Sequence, residues 1–279
     1  MFTSNPFSEL AGTISPEIMQ YYVIAMVILV VVGVLLDMRH KQSAKYFFEN
    51  SKKAEKNAKR SVAGGEKMSL LIATILNEVL TSAEFQNPAR RLSHLLTMYG
   101  FIIFVVTTAM MIFALPGEVA STTALLWHVG ALSLCVGGYW FWFGIRVDVN
   151  SEGLPWNRLN QGDIFIVSVL ATCTFALIWS FMQSSAMAGS MIAFALFIIS
   201  ATVLFSTVFW SKFAHMFFKP AAAFQKRVTR ADGSRENLPF DFDLTDPAIH
   251  AKFPDLPEYM GKNPENMGPG IKREQPRHY

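Results

Sequence analysis

Every one of the 24 Lys and Arg residues of this chain falls within three segments, Asp37–His94, Arg146–Gly162 and Lys212–Tyr279. The sequence between them is apolar. Five runs, Ile18–Leu36, Leu95–Leu115, Ala124–Ile145, Ile164–Met182 and Met191–Trp210, carry almost no ionisable group, and each approaches the ~20 residues that a helix needs to cross hydrocarbon. The alternating ten-residue pattern of a membrane β-barrel is missing. The sequence therefore predicts an all-α membrane protein with five transmembrane helices.

The intervening stretches Met1–Glu17, Pro116–Thr123 and Gln183–Ser190 hold no Lys or Arg. Cationic loops stay on the cytoplasmic side, so the N-terminus is expected outside and the C-terminus inside. The net charge of +3 averages over this asymmetry and hides it. Aromatic rings favour the headgroup level. Tyr21, Tyr22, Trp127 and Trp179 are accordingly expected in an outer belt, with Trp140, Trp142 and Trp210 in an inner one. The first span is followed directly by Asp37, Arg39, His40 and Lys41, which reads as an uncleaved anchor.

Three regions follow: residues 1–17 outside, residues 18–218 as the transmembrane domain with an inner segment 37–94, and residues 219–279 as a cytoplasmic tail. Asp37–Arg60 is expected to continue span one as helix, and Gly64-Gly65 to end it. Met68, Leu71, Ile72, Ile75, Leu76 and Val79 then share one helical face, the pattern of an amphipathic helix lying in the inner leaflet; the alternative is a helix packed under the bundle. Asn87-Pro88 supplies an N-cap and first-turn proline for span two. The tail has eight of the thirteen prolines, with Pro239-Phe-Asp-Phe-Asp and Phe253-Pro-Asp-Leu-Pro-Glu-Tyr. It predicts an extended strap, with a solvated tail as the alternative.

No Asp, Glu, Lys or Arg lies deep in a span, which weighs against a small transporter. Two thiols, Cys135 and Cys173, cannot supply a zinc or iron–sulfur ligand set. Histidine offers more. Arg91-x-x-His94 opens span two and Lys212-x-x-His215 closes span five, so the imidazoles of His94 and His215 share a depth near the inner leaflet. Such a pair can ligate the iron of one haem b, with basic neighbours for its propionates. His40 is a substitute ligand. His128, alone at the outer end of span three, can hydrogen-bond a quinone carbonyl or simply pack between helices.

Three strings, Arg90-Arg-Leu-Ser-His-Leu-Leu-Thr-Met-Tyr-Gly-Phe, Val136-Gly-Gly-Tyr-Trp-Phe-Trp-Phe-Gly-Ile-Arg-Val-Asp-Val and Lys212-Phe-Ala-His-Met-Phe-Phe-Lys-Pro, resemble the membrane-anchor subunit of dissimilatory adenylylsulfate (APS) reductase of sulfur-oxidising bacteria. Thr3-Ser-Asn-Pro-Phe and Ser43-Ala-Lys-Tyr-Phe-Phe-Glu-Asn fit as well. The ending is more distantly similar to nitrate-reductase gamma-like cytochrome b subunits, which bind haem through histidines. The resemblance implies a cytoplasmic partner with flavin and iron–sulfur subunits that oxidises sulfite, and a route for its electrons to the quinone pool. This chain has no nucleotide-binding glycine loop and no flavin fingerprint. The expected role is thus membrane anchor and electron-transfer subunit; the alternatives are a passive docking subunit without cofactor and, less favoured, a small transporter.

Overall fold

The computed structural model describes residues 2–83, 85, 87–114, 119–149, 152–210, 215–236, 238 and 246–255, with backbone only at 41, 43, 44, 215 and 217. It is all-helical, without a strand among the described residues. Four helices are long and apolar enough to cross a membrane. They are α2 (Pro16–Lys41), α5 (Pro88–Phe113), α6 (Ser121–Trp140, extended by a π-helical turn Phe141–Ile145) and α7 (Ile164–Ser184). A shorter apolar helix, α8 (Ser190–Ser206), packs beside α7 and α2. Because successive helices run antiparallel, the described Lys and Arg residues collect at one end, called the basic end below.

The tightest seam joins α5 to α6. Glycine makes it possible: a Cβ on Gly130 would stand 2.8 Å from the Phe104 backbone nitrogen and 3.1 Å from the Gly100 carbonyl. Small residues let backbones approach where lipid supplies no hydrophobic drive between helices. Ser93 adds an interhelical bond, its hydroxyl donating to the Gly137 carbonyl at 2.8 Å. α2 stands at the periphery, mostly exposed along its length.

At the opposite end a short helix α1 (Pro6–Leu10), capped by Asn5, wedges into the bundle. Its Phe7 meets Trp127 and Trp179 edge-on, with ring centroids 6.1 and 5.1 Å away. Side-chain amides tie the wedge down: Asn5 donates to the Met111 carbonyl and Gln183 to that of Pro6, while Gln20 of α2 donates to the Ile112 carbonyl of α5 beside them. The carbonyls of Met111 and Ile112 lie in the last turn of α5, where intrahelical partners run out.

The basic end carries a layer of its own. α3 (Ser43–Asn57), α4 (Gly64–Thr74, continued by a π-helix Ile75–Leu80) and α9 (His215–Ala231) pack on one another. The backbone amides of Lys59 and Arg60 both donate to the Asp232 carbonyl, and Arg60 Nε donates to Ala231. Ion pairs Arg60–Glu66 and Arg227–Glu78 complete the link. α4 turns Leu70, Ala73, Thr74 and Glu78 inward and leaves Met68, Leu71, Ile72, Ile75 and Leu76 exposed.

Several expectations change. Gln42 adopts a left-handed conformation (φ 51°) and breaks the continuation of span one, so α2 and α3 are separate helices. Gly64-Gly65 opens α4 and does not terminate α3. The first part of the proline-rich tail is helix, since α9 runs to Ala231 through Pro220; one ring near the N-terminus of a strongly amphipathic helix removes one backbone donor without ending it. A second short helix, α10 (Pro247–Lys252), is capped by Asp246. The strap's remaining motifs, at 239–245 and 256–259, lie outside the described residues. Trp127 and Trp179 are fully buried between helices, and Trp142 is nearly so. Tyr21, Trp140 and Trp210 are exposed as belt residues should be.

Candidate functional site

Four histidines carry the sequence-derived expectations. His94 sits half-buried on the second turn of α5, which begins where Asn87 accepts from the amides of Ala89 and Arg90. Its ring lies 4.9 Å from that of Phe85. Over the same Phe85 ring stand the Arg90 guanidinium at 5.7 Å and Lys219 Nζ at 5.2 Å. Phe85 thus brings the start of α9 to the start of α5. His215 opens α9 and does not close α8, which stops at Ser206; its side chain, and all of Lys212, lie outside the described residues. A haem needs an imidazole and a slot for its face. The described residues supply His94 and neighbouring cations, but Phe85 occupies the ring's flank, so half of such a site is visible and fits only if Phe85 moves aside.

His40 is exposed at the end of α2, its ring 5.4 Å from Phe209. His128 is fully buried. Its Nδ1 lies 2.7 Å from the Ala124 carbonyl, so Nδ1 carries the proton, and Nε2, 2.8 Å from Ser180 Oγ, accepts from that hydroxyl. Phe2 and Trp127 cover the ring edge-on. With both nitrogens engaged, His128 can serve a quinone carbonyl only by giving up one of these partners.

Two constellations were not expected from sequence. Arg146, with no exposed surface, anchors the loop between α6 and α7. Its guanidinium donates to Asp163 at 2.6 Å, to the Arg158 carbonyl at 2.7 Å and to the Pro155 carbonyl at 2.5 Å, and lies 4.2 Å above the Trp142 ring. Asp163 also accepts from the Asn160 amide in a capping box at the start of α7. A carboxylate at a helix N-terminus is half of the role of Asp163, and pairing Arg146 is the rest. A signal for the rest was present: an Arg directly after the apolar run Phe-Trp-Phe-Gly-Ile must find an anion or enter water.

The second is the thiol pair. Cys135 on α6 and Cys173 on α7 lie far apart in sequence, yet their sulfurs approach to 3.3 Å. Both are free thiols. Near them an apolar cavity of about 330 Å³ opens between α2 and the rest of the bundle, lined among others by Met26, Val27, Val105, Ala201, Thr172 and Cys173. No histidine is among the described residues that line it. No cluster of three or more metal-ligating side chains occurs among the described residues.

Four apolar helices of crossing length around a buried core define a multi-pass membrane protein. Comparison with protein families, with curated proteins and with solved structures finds no match.

Proposed function

We propose that this chain is the membrane anchor and electron-transfer subunit of a cytoplasmic adenylylsulfate reductase, linking sulfite oxidation to the quinone pool. In this reading α8 crosses with the four longer helices, its 17 residues being at the short end of what spans hydrocarbon. The positive-inside bias then turns the basic end to the cytoplasm of a bacterial inner membrane and leaves the N-terminus outside.

The observation that carries the proposal is the helical layer at the basic end. Lys45, Lys52, Lys53 and Lys56 are exposed along α3, and α9 is tied to the α3–α4 link by Arg60, Asp232 and Ala231. A surface of this charge suits an acidic soluble enzyme, here one with flavin and iron–sulfur subunits. The exposed apolar face of α4 suits immersion in the inner leaflet, which would hold the layer flat against the lipid. The residue strings noted in the sequence supply the partner's identity.

When bound, a b-type haem supplies one-electron transfer between such an enzyme and quinone. His94 and His215 would hold the iron, with Arg91, Lys212, Arg90 and Lys219 as cations for the propionates. A second reading, passive docking without cofactor, draws support from the packing of Phe85 on His94.

Affinity purification from native membranes tests the anchor: the reductase subunits should copurify and should dissociate as salt rises. Recovery of the chain without them under low salt would overturn it. The reduced-minus-oxidised visible spectrum of the same material separates the two readings. A b-type band lost in His94→Ala supports the electron carrier, and its absence leaves only docking.

A further inference from the structure

The cavity and the thiol pair belong together. Cys135 is ten residues from the end of the π-turn at Ile145 and Cys173 nine from the start of α7 at Ile164. At ~1.5 Å per residue both sulfurs lie ~14–15 Å from the basic end, close to the middle of a hydrocarbon core ~30 Å thick. Water-soluble thiols and oxidants do not reach that depth. A molecule that dissolves in lipid does, and the cavity gives it a way in, because Val27 and Val31 line it from α2 while remaining more than half exposed on the lipid side.

We propose that Cys135 and Cys173 form an intramembrane dithiol–disulfide couple whose oxidant is a quinone admitted through this cavity. Cys173, in the cavity wall, is the thiol that the quinone meets; Cys135, 3.3 Å away and only half-buried, is its partner. The S–H bonds of both residues break and one S–S bond forms. The two electrons and two protons pass to the quinone, whose carbonyl oxygens become the hydroxyls of a quinol. Reactants and products are neutral, which matters because a free thiolate in hydrocarbon is costly. A hydroxyl chain lies beside the pair for proton movement: Thr174 Oγ1 is 3.8 Å from Cys135 Sγ and 2.9 Å from the Tyr139 hydroxyl, one turn nearer the basic end. A bond needs the sulfurs to close from 3.3 Å to ~2.05 Å. Oxidation then fastens α6 to α7 beneath the Arg146 loop.

The couple needs the helices to sit in a bilayer and nothing of the docked reductase, so it stands or fails separately from the anchor reading. The test uses the full chain, reduced and reconstituted without oxygen in phosphatidylethanolamine–phosphatidylglycerol nanodiscs, with a short-chain ubiquinone analogue as probe. Loss of both thiols per chain, formation of one quinol per chain and recovery of a peptide pair linked through Cys135 and Cys173 are expected. Cys135→Ser, close to isosteric, should abolish quinol formation. Val27→Trp, at the lipid-facing edge of the cavity, should slow oxidation by the quinone while leaving disulfide formation with copper–phenanthroline unchanged. Two thiols still titratable after prolonged exposure to quinone, a thioether adduct of the quinone, or disulfides between chains would each overturn the proposal. An unchanged rate in Val27→Trp would overturn the cavity as the route.

Discussion

Replacing Arg146 by Met keeps most of the side-chain volume and removes the charge from a position with no solvent access. Asp163, with its side chain 11% exposed, is left without its cation, and the carbonyls of Pro155 and Arg158 lose their donor. Breaking one side of a buried ion pair costs about 3–5 kcal/mol, because the remaining charge stays desolvated. The loop carbonyls recover part of their loss from water, so the cost is expected near the lower bound, about 3 kcal/mol. Asp163→Asn is milder. Its amide oxygen can still accept from Arg146 and from Asn160, and the change from a charged to a neutral acceptor removes about 1–1.5 kcal/mol. The double variant should cost less than Arg146→Met, since a neutral amide in place of the Asp163 carboxylate leaves no buried charge behind. Equilibrium unfolding in mixed micelles of rising dodecyl sulfate, followed by circular dichroism, measures all three. A loss below about 1 kcal/mol for Arg146→Met, or strict additivity in the cycle, would refute the view that this pair holds the loop.

Gly130→Leu puts a side chain where even a Cβ meets the backbone of Phe104 at 2.8 Å; separation of α5 from α6 should cost at least the 1–3 kcal/mol typical of overpacking, roughly, read as a lower unfolding midpoint. Phe7→Ala removes the ring between Trp127 and Trp179 and should cost about 3 kcal/mol with a red shift of tryptophan emission as water enters. At the basic end, hydrogen bonds from Arg60 hold the Glu66 carboxyl below its ordinary value of 4.5. A depressed carboxylate contributes above its unfolded value and loses that contribution as pH falls through the folded one. Exchange of the Lys59 and Arg60 amides, corrected for intrinsic rate, should therefore accelerate below about pH 4.5 and stay level between pH 5.5 and 7.5, roughly; a constant rate down to pH 3, roughly, would refute the coupling.

The helices behind the apolar runs were legible because such runs, bounded by cations, admit few alternatives, although among the described residues only four of the five reach crossing length. Their ends were not, and the reasons are local. A single left-handed residue, Gln42, separates α2 from α3, and no composition marks it, since Gln is an ordinary helix former. Pro220 misled in the other direction: proline density suggested an extended chain, but the pairing of Arg227 with Glu78 and the hydrogen bonds to Ala231 and Asp232 give α9 tertiary support. The histidines were easy to find and hard to interpret, because a partner such as Ser180 for His128 lies on another helix and has no fixed spacing. The thiol pair shows the same limit: separation along the chain says nothing about two residues at equal depth on neighbouring antiparallel helices.

The two ends of the bundle differ in what holds them, and this sets where the molecule can yield. At the α1 end, buried rings and amide–carbonyl bonds join elements inside the core. At the basic end, the α3–α4 link, α4 and α9 are joined by hydrogen bonds to Ala231 and Asp232 and by ion pairs that keep a quarter to a half of their side-chain surface exposed. Such pairs contribute little and weaken with salt. The layer is therefore expected to open more readily than the bundle, while the spans stay packed. A docked partner, or anionic lipid, would stabilise it by binding only its closed form. Hydrogen exchange should accordingly be fastest in α3 and α9, rise with salt there alone, and slow on docking. Uniform protection across α3, α6 and α7 would show that the layer and the bundle are one cooperative unit.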